Sequence, residues 1–323
     1  MEILYGSSNW KLIVRREEDH VVILRGVTCD SRAVLPDELF GLPVTVLGEK
    51  ALSPTAKPIS GEEVRIVCGR EGDWDNRDLE DLTLPETLQW IRDYALSGCR
   101  GLHTLRLTDR IKSWGGGCLM NCRALRKIYL TRVGEKQGES LPVICGELTD
   151  ELDVTIRETD GSIVRLLFPD YMESHEENIP HHQFDYHIYG GGFPYHHTFP
   201  GKQLSLRAYD DLWEKYRCTQ TEPDTAIRLA YYRLRWPVEL ADAAEAQYTA
   251  YLKQNAAEAL CMQLPQRDAE GLRLLLDKLE PDDAALHHAC ELARRDGLTE
   301  GLALLLEKQK KSVPRGCDMD FDL

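Results

Sequence analysis

Six of the ten histidines in this 323-residue chain fall between positions 175 and 197: His175, His181, His182, His187, His196 and His197. Imidazole titrates near neutral pH and ligates divalent metals, so such a cluster is the first place to look for chemistry. The segment "HQFDYHIYGGGFPYHHTF" (182–199) places strand-like residues on both sides of a glycine-rich stretch. If Gly190 to Pro194 forms a hairpin loop, His187 lies opposite His197, with Asp185 on the same face. Two imidazoles and a carboxylate suit Zn²⁺ or another divalent ion. The competing reading makes them polar or half-buried residues of an amphipathic hairpin. Spacing alone supports the metal, and "HEENI" (175–179) lacks the second histidine of the zinc-protease helix motif.

The ten cysteines are scattered from Cys29 to Cys317 and form no CxxC. With no export signal, free buried thiols are expected. Cys118 and Cys122 form a CxxxC, a weak metal signal without a matching second pair. The chain contains no GxSxG, no GxxxxGK[ST] and no strand-borne GxGxxG. The glycine triplets at 115–117 and 190–192 read as turns and lead into no phosphate-cradling helix. No catalytic residue and no cofactor is assigned, and the expectation is a protein that is not an enzyme.

The elements around these residues carry a clearer pattern. "LSGCRGLHTLRL" (96–107) is nearly repeated as "LMNCRALRKIYL" (119–130), 23 positions on. The same shift aligns Leu82, Leu105 and Ile128, and also Leu84, Leu107 and Leu130. It matches Leu88 with Ile111, Leu102 with Leu125, and Cys99 with Cys122. Apolar residues at LxxLxL spacing with a fixed period in the 20s mark a leucine-rich solenoid. A single unit cannot bury its apolar face, so the pattern must recur in register. A turn cysteine filled in both copies favours a structural role over redox or metal chemistry. An earlier, divergent unit spans 35–52: its "VLGEKAL" aligns with "WIRDYAL" (90–96), and its "LP" with Leu84-Pro85. Residues 53–81 read as an insertion with one strand, "EVRIVC".

"LPDELFGLPVTVLGEKAL", "LTLPETLQWIRDYALSGCRGLHTL" and "DRIKSWGGGCLMNCRALRKIYL" resemble BspA-type leucine-rich repeats, a family common in gut bacteria, over roughly residues 20–131. Leu96 and Leu119 stand where that family usually carries phenylalanine before the turn cysteine. Many relatives are secreted adhesins. The N-terminus "MEILYGSSNWKLIVRREEDH" has no basic stretch followed by an apolar core, which argues against carrying that role over.

In LxxLxL the intervening residues face outward. The candidate protein-binding set is therefore Thr83, Thr104, Arg106, Lys127 and Tyr129, beside Asp81. The competing reading is a solvated face without a ligand. After the polar linker "VGEKQGESLP" (133–142) the period is lost. "DVTIRETDGSIVRLLF" (153–168) reads as a hairpin turning at Asp160-Gly161.

From about 208 the pattern is helical. "AYDDLWEKYRC", "DTAIRLAYYRLRW" and a long segment at 238–264 space their apolar residues for helices. "EGLRLLLDK" (270–278) recurs as "EGLALLLEK" (300–308). Pro281 and Asp282 suit the start of the helix between them, Gly297 its end, and Thr299 the cap of the last helix. These helices resemble ankyrin repeats, and the order of parts resembles a multidomain arrangement of anaerobic Firmicutes. That resemblance implies a bacterial, cytoplasmic protein and supplies no catalytic residues.

The expected fold class is α+β. A leucine-rich-repeat domain spans 1–132, a linker and hairpin-rich segment 133–207, a helical ankyrin-like domain 208–311, and a flexible tail 312–323. The net charge of −15 and the lack of a long Lys/Arg run argue against nucleic acid. No apolar run approaches the roughly 18 residues of a membrane span. The expected function is a non-enzymatic scaffold that binds a protein partner through its repeat surfaces. A metal-binding module at 175–197 and a structural homo-oligomer are the alternatives.

Overall fold

A computed structural model describes residues 2–69, 72–134, 136–178, 183–219 and 223–312. The chain divides into two compact units, Met1–Thr219 and Gln220–Leu323.

In the first unit, β1 (Glu2–Tyr5), β2 (Trp10–Arg16), β3 (Val21–Thr28), β4 (Arg32–Val34), β5 (Glu38–Leu39), β6 (Leu42–Leu47) and β7 (Glu62–Val67) come first. The repeats then supply β8 (Asp81–Thr83), β9 (Trp90–Ile91), β10 (Thr104–Thr108), β11 (Ser113–Trp114) and β12 (Lys127–Thr131). Helix α1 (Ser140–Glu147) leads to β13 (Leu152–Arg157), β14 (Ile163–Phe168), β15 (Met172–Asn178) and β16 (Gln183–Tyr189). The short helices α2 (Phe193–His197), α3 (Leu206–Asp210) and α4 (Trp213–Thr219) close the unit.

One sheet runs β14-β13-β12-β10-β8-β4, and another runs β1-β7-β2-β3-β6-β9-β11 with β5 on β6. The repeat strands pair in parallel. Thr104 lies opposite both Asp81 and Lys127, and Trp90 lies opposite Ser113. Each pairing joins residues one repeat apart, so the sequence period and the hydrogen-bond register coincide. The repeats that begin with β8 and β10 each contribute one strand to each sheet. Leu82, Leu105 and Ile128 thereby meet in one fully buried row. Burial of each such side chain contributes about 1.5–3 kcal/mol.

The turn cysteines close this packing. The Cys99 thiol donates to the Leu52 carbonyl at 3.4 Å, and the Cys122 thiol to the Leu96 carbonyl at 3.2 Å. Each is a compact donor that satisfies a carbonyl of an earlier turn. Burial pushes the Cys122 thiol up to about 12 and the Cys99 thiol further still. Both stay protonated at neutral pH, which removes them as nucleophiles or metal ligands in this state.

Side chains also satisfy turn groups beside these cysteines. The Asn76 amide, 23 residues before Cys99, donates to the Gly26 and Leu52 carbonyls and accepts from the Thr28 N–H. The Glu147 carboxylate of α1 accepts from the Cys118 and Leu119 N–H groups. Backbone groups that a further repeat would pair are met by a helix instead.

Three expectations about this unit are corrected. Residues 140–142, the end of the stretch read as a linker, open α1. The sheet does not stop near 132, because β13 pairs in parallel with β12 and Lys127 lies opposite Asp153. Residues 182–199 do not fold on themselves: β16 pairs back with β15, and the residues after the glycines form α2. Gly192 packs against the Pro169 and Asp170 carbonyls, where a Cβ would collide. The triplet there permits a close approach of backbone to backbone. The hairpin at Asp160-Gly161 forms as expected, with Gly161 at φ +85° and Arg157 opposite Ile163.

The second unit holds α5 (Pro223–Arg235), α6 (Asp242–Gln254), α7 (Ala256–Gln263), α8 (Ala269–Leu279), α9 (Asp283–Arg295) and α10 (Thr299–Ser312). The helical segment expected over 238–264 forms two α-helices, α6 and α7, that meet at Asn255. Consecutive helices pack as α5 with α6, α7 with α8, and α9 with α10. Alternate helices also pack, α5-α7-α9 on one side and α6-α8-α10 on the other. This is a stack of three helical hairpins. The recurring "EGL" has a packing reason: a Cβ on Gly271 would meet the Tyr231 hydroxyl, and one on Gly301 the Leu264 side chain. Asp268 caps α8 by accepting from the Gly271 N–H, and Asp282 caps α9 by accepting from the Ala285 N–H. The domain cut expected at 207 falls instead after Thr219, since α3 and α4 belong to the first unit. The tail of 313–323 lies outside the described residues.

Candidate interaction surface

Alternation along each strand separates two faces of the six-stranded sheet. Leu82, Leu105, Ile128, Val154 and Leu166 point into the core. The register places the other set in rows across the opposite face. One row runs Val34, Thr83, Arg106, Tyr129, Thr155 and Arg165. The next runs Arg32, Asp81, Thr104, Lys127, Asp153 and Leu167, the last fully buried, so the face is covered at its β14 corner.

All five residues expected to face outward share this face, although Thr104 is only 9% exposed and offers little to a partner. Arg106 is held in place. Its guanidinium donates to both Asp81 carboxylate oxygens at 3.1 Å and lies 4.1 Å from the centre of the Tyr129 ring. The bidentate Asp81 bond raises the Arg106 pKa, so its charge is permanent. Lys127 is exposed and has no ion pair among the described residues.

The sequence reading missed the third of the face on β13 and β14. Arg165 forms a second bidentate pair with Asp153 at 2.9 and 2.5 Å, beside Thr155 and the exposed Arg157. The available signal was alternation: Asp153, Thr155 and Arg157 interleave with Leu152, Val154 and Ile156 as Lys127, Tyr129 and Thr131 do with Ile128 and Leu130. Arg32 and Val34 extend the face at its other edge.

A buried ion pair lies at the ends of these strands. Arg132 and Asp109 side chains are 4% and 3% exposed and approach to 3.4 Å. The Asp109 carboxylate also accepts from the Val133 N–H at 3.0 Å and the Gly138 N–H at 3.4 Å. It ties the segment leaving β12 to the segment entering α1.

The histidines are not gathered as expected. His187 lies on β16 opposite Ser174, exposed to solvent. His197 ends α2, stacks on Phe193 at 4.1 Å between ring centres, and has Nδ1 at 3.0 Å from the Phe193 carbonyl. The hairpin premise that set His187 opposite His197 therefore fails. Asp185 pairs with Glu176 along the strand, and its side chain lies outside the described residues, as do His181 and His182. Among the described residues no group of three or more His, Cys, Asp or Glu is arranged to hold a metal.

His196 is the histidine that sequence reasoning passed over. It is buried, with its ring nitrogens 3.0 Å from the Cys145 and Pro169 carbonyls and its ring edge-on to Phe168 and Tyr171. Burial holds it below the ordinary imidazole range, against the pull of those carbonyls. It is a packing residue that fastens α2.

A cleft of about 240 Å³ beside α2 and α4, and one of about 210 Å³ where α8 and α10 begin, fall below the roughly 300–1,000 Å³ of typical ligand pockets. Larger hollows of about 410 Å³ beside Asp109 and Lys112 and about 470 Å³ beside Glu258 and Pro281 are shallower, more open and mostly polar. No helix among the described residues is long and apolar enough to cross a membrane.

Residues 73–148 match the family model described as "BspA type Leucine rich repeat region (6 copies)". The match runs through β8 to α1 and covers less than a quarter of the 323 residues. It supports the leucine-rich-repeat reading for that part of the chain. No curated protein and no solved structure matches the chain.

Proposed function

We propose that the stacked repeats form a short solenoid whose six-stranded face binds a protein partner without catalysing a reaction. Leucine-rich repeats are commonly protein-interaction modules. The observation that carries the reading is the continuity of the outward rows. The register brings the side chains of six strands onto one surface, with Arg106 and Arg165 each fixed by a bidentate carboxylate and Tyr129 under Arg106. Arginine and tyrosine held rigidly lose little entropy on binding and dominate interface energies. The stack of three helical hairpins, ankyrin-like in its paired helices, offers a second repeat surface for the same class of function.

The test uses the full chain as bait in a lysate of the source organism, with quantitative mass spectrometry. The comparison bait carries Lys127→Glu and Tyr129→Ala. Reversing Arg106 is the poorer choice, because it also breaks the Asp81 pair. A stoichiometric partner whose yield falls at least tenfold in the variant, at unchanged melting temperature, is the expected result. Equal yields from both baits remove this face as the site.

A further inference from the structure

We propose that the partner of the six-stranded face presents an acidic, extended peptide segment. This rests on the reading of that face as a binding surface and adds the chemistry of what binds. Two observations carry it.

The first is charge. The whole chain has a net charge of −15. Among the paired strand residues of this face, Arg32, Arg106, Lys127, Arg157 and Arg165 stand against Asp81 and Asp153. The two carboxylates are engaged by Arg106 and Arg165. Arg32, Lys127 and Arg157 are exposed and have no ion pair among the described residues. The face is thus a basic surface on an acidic protein, with three cations free to accept carboxylates from outside. Complementary potential of this kind steers encounter and selects partners.

The second is size. Six strands spaced by about 4.8 Å and about five residues long give a face of roughly 24 by 17 Å, or ~400 Å². A standard interface uses about 800 Å² per partner. A flat globular partner would need more surface than the sheet offers, whereas an extended segment fits within it. Arg32 and Lys127 lie three strands apart, about 14 Å, and Lys127 and Arg157 are separated by a similar distance. An extended chain advances about 3.4 Å per residue, so carboxylates four residues apart span either pair; the two pairs run about 70° apart, and one straight segment engages one of them at a time. Tyr129 lies between Lys127 and Arg157, and the exposed Val34 flanks Arg32 on the edge strand, where each offers apolar surface. A nucleic acid fits less well. Its charges are dense and unbroken, and they would meet Asp81 and Asp153 on the face and the acidic remainder of the chain.

The experiment measures fluorescence anisotropy with the full chain and three labelled probes. One is a dodecapeptide with glutamate at every fourth position among serine, threonine and glycine. The second replaces each glutamate with glutamine. The third is a twelve-residue single-stranded oligothymidine. At 50 mM NaCl the glutamate peptide is expected to bind at least tenfold tighter than the glutamine peptide, with the advantage shrinking as salt screens the charges. Lys127→Glu with Arg157→Glu should abolish that advantage. Lys215→Glu with Lys310→Glu, which changes net charge equally off the sheet, should preserve it. Because Lys127 and Arg157 are exposed and unpaired, the face variant is expected to melt at the wild-type temperature.

Equal affinity for the two peptides, equal loss in both variants, or tighter binding of the oligothymidine overturns the inference. If both peptides bind equally and Tyr129→Ala weakens both, the binding face survives and only the acidic partner is lost. If no face substitution changes binding of any probe or of the captured partner, the face itself is lost.

Discussion

Asp109→Ala is expected to destabilise the first unit by about 3–5 kcal/mol, the cost of leaving one member of a buried ion pair uncompensated. With its side chain 4% exposed, the Arg132 guanidinium cannot recover hydration by turning outward. The neighbouring Glu158, at 3.5 Å from Arg132 and 30% exposed, offsets only part of the loss. The Val133 and Gly138 N–H groups lose their acceptor in the same step. Urea unfolding of the full chain, followed by the fluorescence of the tryptophans of residues 1–219, reads the change. The partner control is Asp109→Ala with Arg132→Met. Removing both charges should recover part of the loss, though not the two backbone hydrogen bonds. A single variant within 1 kcal/mol of wild type, or a double variant no better than the single, contradicts the role given to the pair.

The second large effect is expected at Leu105→Ala, about 2–5 kcal/mol. Leu105 is fully buried, and its strand is held between Leu82 on one neighbour and Ile128 on the other. Two hydrogen-bonded neighbours prevent the backbone from closing over the missing carbons, so the site keeps its cavity. Thr83→Ala on the outward face of β8 is the matched control, expected within about 0.5 kcal/mol of wild type as an ordinary surface change. If the two substitutions cost the same, the assignment of inward and outward rows is wrong.

The repeat was legible because it is written twice, once in leucines and once in the turn cysteines. Stacked strands need apolar residues at the same place in each unit, and that requirement appears directly as the shift of 23. The divergent unit was legible for the same reason: Val46 pairs with Trp90 and Val34 with Thr83, as the alignment of "VLGEKAL" and "LP" required. What the period could not reveal was where the sheet continues. Beyond β12, helix α1 replaces the returning half of a repeat, so β13 arrives at a different spacing. A strand pairs through its backbone and needs alternation, not a fixed interval, to join. A third of the candidate face was therefore outside any repeat-based reading.

The histidine segment failed for another reason. A glycine triplet between two strand-like runs satisfies the hairpin pattern, yet those glycines are needed where Gly192 meets the carbonyls after β14. That contact is tertiary, and nothing in the local pattern separates it from a turn. His196 illustrates the same limit, since its partners at Cys145 and Pro169 are distant in sequence. The break at Asn255 carries no proline or glycine, and helical periodicity on both sides runs straight across it.

The most direct test of the binding face places the photo-crosslinking residue p-benzoylphenylalanine singly at Lys127, Thr155 or Arg92 of the full chain, followed by irradiation in the source lysate. Lys127 and Thr155 lie on neighbouring strands of the face, whereas Arg92 follows β9 in the other sheet. The account predicts one shared adduct from positions 127 and 155 and none of that species from position 92. An adduct from position 92 alone, or the same adduct at equal yield from all three, would contradict it.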